Sequence, residues 1–344
     1  MPPLSRATAV AVATLLAWSI AGPAAPRAAR QAGQKAAADA DGPRALPPVD
    51  GTGVLHVQRN VYVLVGEGGN VTVQIGDEGI LVVDTQSGTA SDRLVGAIRS
   101  LSDKPLRWAI NTHFHGDHTG GNESIERAGA SIRQNAFGSG RNFPGTLPAG
   151  TTIVAHESVL ARMSAPTGAA APTPQKAWPV ATYFGEGREL FFNGEAVQIL
   201  HQPRAHTDGD SIVYFRYSDV VSTGDIFVTT SYPVIDEKAG GTINGVIEGL
   251  NRVIDLAIPR EKQEGGTYVV PGHGRVTDEA DVVYYRNMVT IIRDRVQDMM
   301  KRGMTLQQVK AARPTAGYDR RWATPSWTAD MFVEAVYRTL VPAS

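Results

Sequence analysis

Seven residues, Thr112-His113-Phe114-His115-Gly116-Asp117-His118, constrain this chain more than any other stretch of it. They directly follow Leu106-Arg-Trp-Ala-Ile110, an apolar run that reads as a buried strand, so the histidines belong to a loop at a strand end. Imidazole is the commonest zinc ligand, and carboxylate is a good second choice. On extended backbone His113 and His115 project the same way. Asp117 and His118 then fall on the far side of a turn made by Gly116, an arrangement that feeds two adjacent metals rather than one. A chance scatter of surface histidines fits poorly, because three of the chain's eight are gathered here.

Three more residues share the same local grammar, each ending an apolar run and opening a glycine-containing loop. They are His206 in Ala205-His-Thr-Asp-Gly-Asp210, Asp225 in Ser222-Thr-Gly-Asp225 and His273 in Val270-Pro-Gly-His-Gly274. Loops at strand ends are where sites are grafted onto rigid scaffolds. Taken singly, each also reads as an ordinary loop residue. Cysteine is absent, which excludes disulfides, thiol nucleophiles, iron–sulfur clusters and cysteine-ligated zinc. A metal must therefore be held by nitrogen and oxygen. With 33 Lys+Arg against 34 Asp+Glu, the chain carries no basic footprint for nucleic acid.

The 344 residues allow one large domain or two small ones. Strands are expected at 61–65, 70–75, 80–83 and 106–110, with a helix over 91–100 between the last two. Strands return at 196–200, 211–215, 219–222 and 267–270. Helical periodicity marks 243–258 and 278–300, the latter with Val282, Tyr285, Met288, Ile291 and Ile292 on one side, then 306–312 and 329–340. Two β-rich stretches, each followed by helices, suggest a sheet-on-sheet core with helices outside. The stretch 131–187 is less regular, rich in proline and glycine, and reads as a lid or substrate loop.

The first residues have a different character. Arg6 precedes an apolar run from Ala7 to Ile20, and small residues and prolines follow. This is the layout of a secretory signal peptide over 1–28, and the run is short for a membrane span, which needs about 20 residues. Residues 29–49 read as a flexible lead-in, 50–280 as the catalytic domain and 281–344 as a helical extension packed on it. A periplasmic or secreted protein is expected, with no membrane association beyond export.

The ordered pattern H-x-H-x-D-H, a distant His, an Asp after Gly and a His between two glycines resembles the metallo-β-lactamase-fold hydrolase superfamily. Ile80-Leu-Val-Val-Asp84-Thr85 and Asn111-Thr-His-Phe-His-Gly-Asp-His-Thr-Gly-Gly-Asn122 agree with it. The resemblance covers about 54–273. It implies an α/β fold, an αββα sandwich, with two Zn2+ per chain at one sheet edge, iron or manganese being alternatives. His113, His115 and His206 would hold the first ion, and Asp117, His118 and His273 the second. Asp225 would bridge them, and Asp84 would orient the histidine loop without ligating.

Asp at position 225, where some lactamases carry Cys and others Ser, resembles glyoxalase II and lactonases instead. The implied function is a zinc-dependent hydrolase of a small molecule: an ester, thioester, lactone or cyclic amide. Asp117 would serve as the catalytic proton shuttle. Tyr232 and Ile235 follow Asp225 closely in the chain and on that ground are expected to line the substrate pocket. A β-lactamase, an iron-dependent oxidoreductase and a non-catalytic metal-binding protein are the competing readings. His156, His201 and His56 are expected to be structural.

Overall fold

The structure, a computed structural model, describes residues 42–129, 150–165, 173–262 and 266–341. The expected signal peptide lies outside them. No helix among the described residues is long and apolar enough to cross a membrane.

Two sheets form the centre. The first has eight strands in sequence order: β1 (Arg44–Val49), β2 (Thr52–Gln58), β3 (Val61–Val65), β4 (Val71–Gly76), β5 (Gly79–Val83), β6 (Leu106–Ile110), β7 (Thr152–His156) and β8 (Ala181–Tyr183). Pairing is antiparallel from β1 to β5 and parallel from β5 to β8. The second sheet runs β13-β12-β11-β10-β9, where β9 is Gly187–Phe192, β10 Glu195–His201, β11 Ser211–Phe215, β12 Val220–Ser222 and β13 Tyr268–Val270. Only its β12–β13 pair is parallel.

β5, β7, β12 and β13 are buried along their whole length, and successive side chains of the central strands divide between two layers. Leu81 and Val83 enter the core between the sheets, where they meet Val197, Val213, Phe215 and Val220. Ile80 and Val82 face outward, against Leu94, Ala97 and Ile98 of α1 (Ser91–Leu101) and Ile125 of α3 (Asn122–Ala128). On the second sheet Ile212, Val221 and Val269 face outward into a third core. It is filled by α5 (Ile243–Leu256), α6 (Glu279–Lys301) and α9 (Ala329–Leu340), with Val309 of α7 (Leu306–Ala311) and Trp322 of α8 (Asp319–Trp322). Helix, sheet, sheet, helix is thus the observed layering, an αββα sandwich.

Several expectations change. Arg44–Val49, placed in a flexible lead-in, is an edge strand paired with β2. Pro47 and Pro48 argue against a central strand, but proline is tolerated at an edge, where the missing N–H faces no partner. The irregular stretch contains β7, wholly buried, and α4 (Glu157–Ser164), so this part is scaffold. Residues 130–149 and 166–172 of that stretch lie outside the described residues. Ile291 is 40% exposed, and Val289 takes its place on the buried side of α6. The boundary drawn at 280 falls inside α6, and one core joins Val221 and Val269 to Val282, Phe332 and Val336. The C-terminal helices are therefore the outer layer of the sandwich.

Candidate metal centre

The histidine loop leaves β6 and runs into α2 (Gly116–Thr119), a single helical turn. His115 is its extended N-cap residue (φ −61°, ψ 147°) and Gly116 its first helical residue, so the change of direction expected at Gly116 begins one residue earlier. The other loops arrive at the same edge through backbone bonds between strand ends. Asp84 N–H donates to Ile110 O, Ser211 N–H to Thr112 O and Thr223 N–H to Val270 O. Two glycines allow the close approach: a Cβ on Gly69 would overlap the His118 ring, and one on Gly272 would overlap the Asp225 carboxylate.

The seven residues form three overlapping groups able to bind metal ions: His113, His115 and His206; His113, His118 and Asp225; Asp117, His118 and His273. His206 Nε2 lies 2.9 Å from His115 Nδ1, and His118 Nε2 lies 3.2 Å from His273 Nε2. Asp225 stands between the groups. Its Oδ1 is 3.2 Å from His118 Nε2 and 3.5 Å from His273 Nε2, and its Oδ2 is 3.9 Å from His206 Nε2. Asp117 Oδ2 is 3.1 Å from His273 Nε2.

The outward nitrogens show which lone pairs point inward. His118 Nδ1 bonds Asp84 Oδ2 (2.8 Å), His206 Nδ1 bonds Val234 O (2.8 Å) and His115 Nε2 bonds Asp236 Oδ2 (3.0 Å). All three partners accept, so each of those nitrogens carries a proton, and in the neutral ring the opposite nitrogen has a lone pair. The Thr112 hydroxyl spends its only hydrogen on Asp84 Oδ2 and so accepts from His113 Nδ1 at 3.1 Å. That leaves His113 Nε2 as an acceptor, and it is buried with no hydrogen-bond partner, as is Asp225 Oδ1. Converging lone pairs and orphaned buried acceptors are a poor arrangement without a cation and a good donor set for one. The residues fit a metal site of nitrogen and oxygen ligands.

Electrostatics agree. Burial, with His118 and His206 nearby, holds the His113 imidazole well below its ordinary value. Burial alone would depress His118 too, but Asp225 and Asp84 outweigh it and hold His118 well above. Burial would raise Asp225, yet the histidines around it, His118 first, hold it well below the usual carboxylate range. The two shifts oppose each other across the 3.2 Å between His118 Nε2 and Asp225 Oδ1, the charged ring and the carboxylate favouring one another.

Asp84 is buried at φ 65°, a left-handed conformation that short polar side chains tolerate. It accepts from Thr112 N–H and Oγ1, both at 2.8 Å, and from His118. These bonds tie the start of the histidine loop and the His118 ring to the end of β5. Asp236 does the same for His115 and was not foreseen, since no motif marks it. The one usable signal was chemical: a histidine ligating through Nδ1 needs an acceptor for Nε2. Asp210 closes the His206 loop by accepting from Thr207 N–H (2.8 Å) and Oγ1 (2.7 Å), its carboxyl pushed up to about 8 by burial.

Tyr232 and Ile235 do not line a pocket. Both lie in the helix-side core, 0% and 4% exposed, with the Tyr232 ring stacked 4.7 Å from Phe332 and its hydroxyl donated to Asp319 at 2.9 Å. His156 stacks on His201 at 3.6 Å and caps α4 by accepting from Ser158 N–H, while His201 bonds Asp208 O. His56 bonds Arg59 O.

Residues 57–130, which hold Asp84 and the histidine loop, match the family model described as the metallo-beta-lactamase superfamily. The sec-alkylsulfatase Pisa1 from Pseudomonas sp. superimposes with a TM-score of 0.59 at 16% identity, over 85% of this chain and 51% of that one. A double mutant of that enzyme gives 0.61 at the same identity and coverage. A metallo-beta-lactamase from Pontibacter korlensis aligns over 72% of this chain and 99% of its own, at 14% identity and a TM-score of 0.47. The chain spans about half the length of the alkylsulfatases it matches. The matched segment and the observed αββα layering agree with the metallo-β-lactamase fold that the sequence pattern implied.

Proposed function

We propose that this protein is an exported, dinuclear zinc-dependent hydrolase that attacks an ester, thioester, lactone or cyclic amide carbonyl. The observation that carries this reading is the position of Asp225, buried between two donor groups with one oxygen toward each. His113, His115 and His206 would hold one ion, Asp117, His118 and His273 the other, and Asp225 both. When bound, such a pair brings water toward neutral pKa and polarises a carbonyl. The chain's own residues supply the rest. Asp84, Asp236 and Val234 O hold the imidazoles in the tautomers that present lone pairs. Asp117, its side chain 40% exposed and beside His273, is placed to accept the proton released by water and return it to the leaving group. Export rests on the basic and apolar layout of residues 1–28.

The test is a hydrolysis screen of lactams, lactones, thioesters and phosphodiesters with metal measured on the same sample. Two zinc equivalents with carbonyl turnover are expected, and Asp225→Ala should lose both the activity and one equivalent. Full activity with two ions in that variant would sink the assignment.

A further inference from the structure

The loop Gly66-Glu-Gly-Gly-Asn70 joins β3 to β4 and contributes no metal-ligand candidate. It nevertheless makes direct bonds to two of the segments that do. Gly69 N–H donates to Asp117 O at 3.0 Å. Asn70 N–H donates to Gly272 O at 2.8 Å, and the Asn70 side-chain amide donates to Pro271 O at 2.9 Å and Gly274 O at 3.0 Å. The three carbonyls that Asn70 grips belong to residues 271, 272 and 274, which surround His273. Asn70 is only 6% exposed, so these bonds are sheltered from water.

We infer that Asn70 is the positioning residue of the Asp117–His118–His273 group, setting the place of His273 and with it the affinity for the second cation. The inference rests on the dinuclear reading above. The physical reason is the weakness of the loop itself. Pro271 has no N–H, and glycines flank His273 on both sides, so the segment has little of its own to resist rotation. Gly272 N–H is tied to Gly224 O and Phe227 O, and Thr229 N–H donates to His273 O at 3.0 Å, which anchors one side to the segment that follows Asp225. Asn70 anchors the other side, its side-chain amide supplying the two N–H groups that the two carbonyls take here. Asp is isosteric but would set a carboxylate against two carbonyl oxygens.

Cadmium-113 NMR on the full chain tests this without relying on turnover. The wild-type protein is expected to show two resonances at two equivalents, one of which disappears in His273→Ala. In Asn70→Ala and Asn70→Asp that same resonance should be lost at stoichiometric cadmium, with the second dissociation constant raised about 10–100-fold and the first unchanged. A merely structural role would lower the unfolding midpoint while leaving both resonances at wild-type affinity, and that result overturns the inference. A single wild-type resonance would instead overturn the dinuclear reading. Should neither variant fold, amide exchange in the wild-type segments 66–70 and 271–274 decides. Slowing on the second equivalent but not the first supports the inference, and no difference overturns it.

Discussion

Asp236 accepts the Nε2 proton of His115 at 3.0 Å, across 121 positions of sequence. The bond decides which nitrogen of His115 faces His206. Asp236 is itself held by the short helical turn that follows, since it accepts from Ala239 N–H at 3.0 Å. Burial alone would raise its carboxyl, but His115 and Ala239 outweigh that and leave it lowered, so it stays a carboxylate able to hold the imidazole.

Asp236→Ala should therefore weaken metal binding at the His113–His115–His206 group by about 10–100-fold, the usual cost of losing a partner that orients a ligand. Asp236→Asn should cost less, because the amide oxygen still accepts. Competition titration with a zinc chelator reads both. Equal affinities for the two variants and the wild type would show that His115 needs no such support.

Asp84→Ala should destabilise the metal-free fold. It strips a buried acceptor from Thr112 N–H, Thr112 Oγ1 and His118 Nδ1 at once. Each buried donor left unpaired costs about 1–3 kcal/mol. Urea unfolding of chelated protein measures the loss. A change below about 1 kcal/mol would mean that water or a rearranged loop replaces the carboxylate.

The metal-ligand candidates were legible because each lies in a segment that follows a strand, and a strand end is visible as an apolar run broken by polar and glycine residues. The αββα layering was legible for a related reason: runs such as Ile80-Leu-Val-Val83 are apolar on both faces, and only a strand covered on both sides reads that way. Asp236 and Asn70 were not legible. Their roles come from bonds spanning more than a hundred positions, which no local pattern records. Arg44–Val49 was hidden by its prolines. Tyr232 misled because nearness in sequence to Asp225 was read as nearness to the pocket, whereas the chain turns it into the helical layer.

Tyr232→Phe follows from that correction. The variant should lose about 0.5–1.5 kcal/mol of stability, the net worth of a hydroxyl bond, through the missing contact with Asp319. It should leave KM for any hydrolysed substrate unchanged. Steady-state kinetics beside a denaturation curve separates the two effects. A raised KM at unaltered stability would return Tyr232 to the pocket.

His156 gives the metal-free protein an acid-side sensitivity away from the centre. Burial first, then the stacked His201, lower its imidazole to about 4, with Asp208 opposing. The folded value lies below the ordinary 6.5, so folding favours the neutral ring. Its contribution is complete above the unfolded value and is lost as pH falls from 6.5 toward 4. His156→Gln should therefore lose less stability than the wild type between pH 7 and pH 4.5, as read by urea midpoints. Parallel curves for the two proteins would remove His156 as the cause.

Chelation should cost more stability at alkaline pH than at pH 6. Metal-free, the centre relies on protonated His118 to balance Asp225 and Asp84. Its folded value is raised, so this stabilisation is present below the ordinary 6.5 and disappears as pH climbs through the raised value. Above that point the His118 and His273 Nε2 atoms face each other at 3.2 Å beside an unbalanced buried Asp225. Zinc replaces the proton and binds more tightly as protons leave its ligands. At free zinc 100-fold above its dissociation constant the folded state gains about 2.7 kcal/mol per site. Urea midpoints with and without chelator, taken in steps upward from pH 6, should separate further as pH climbs through the raised His118 value. A gap that stays constant would mean that the His118 proton is not what stands in for the metal.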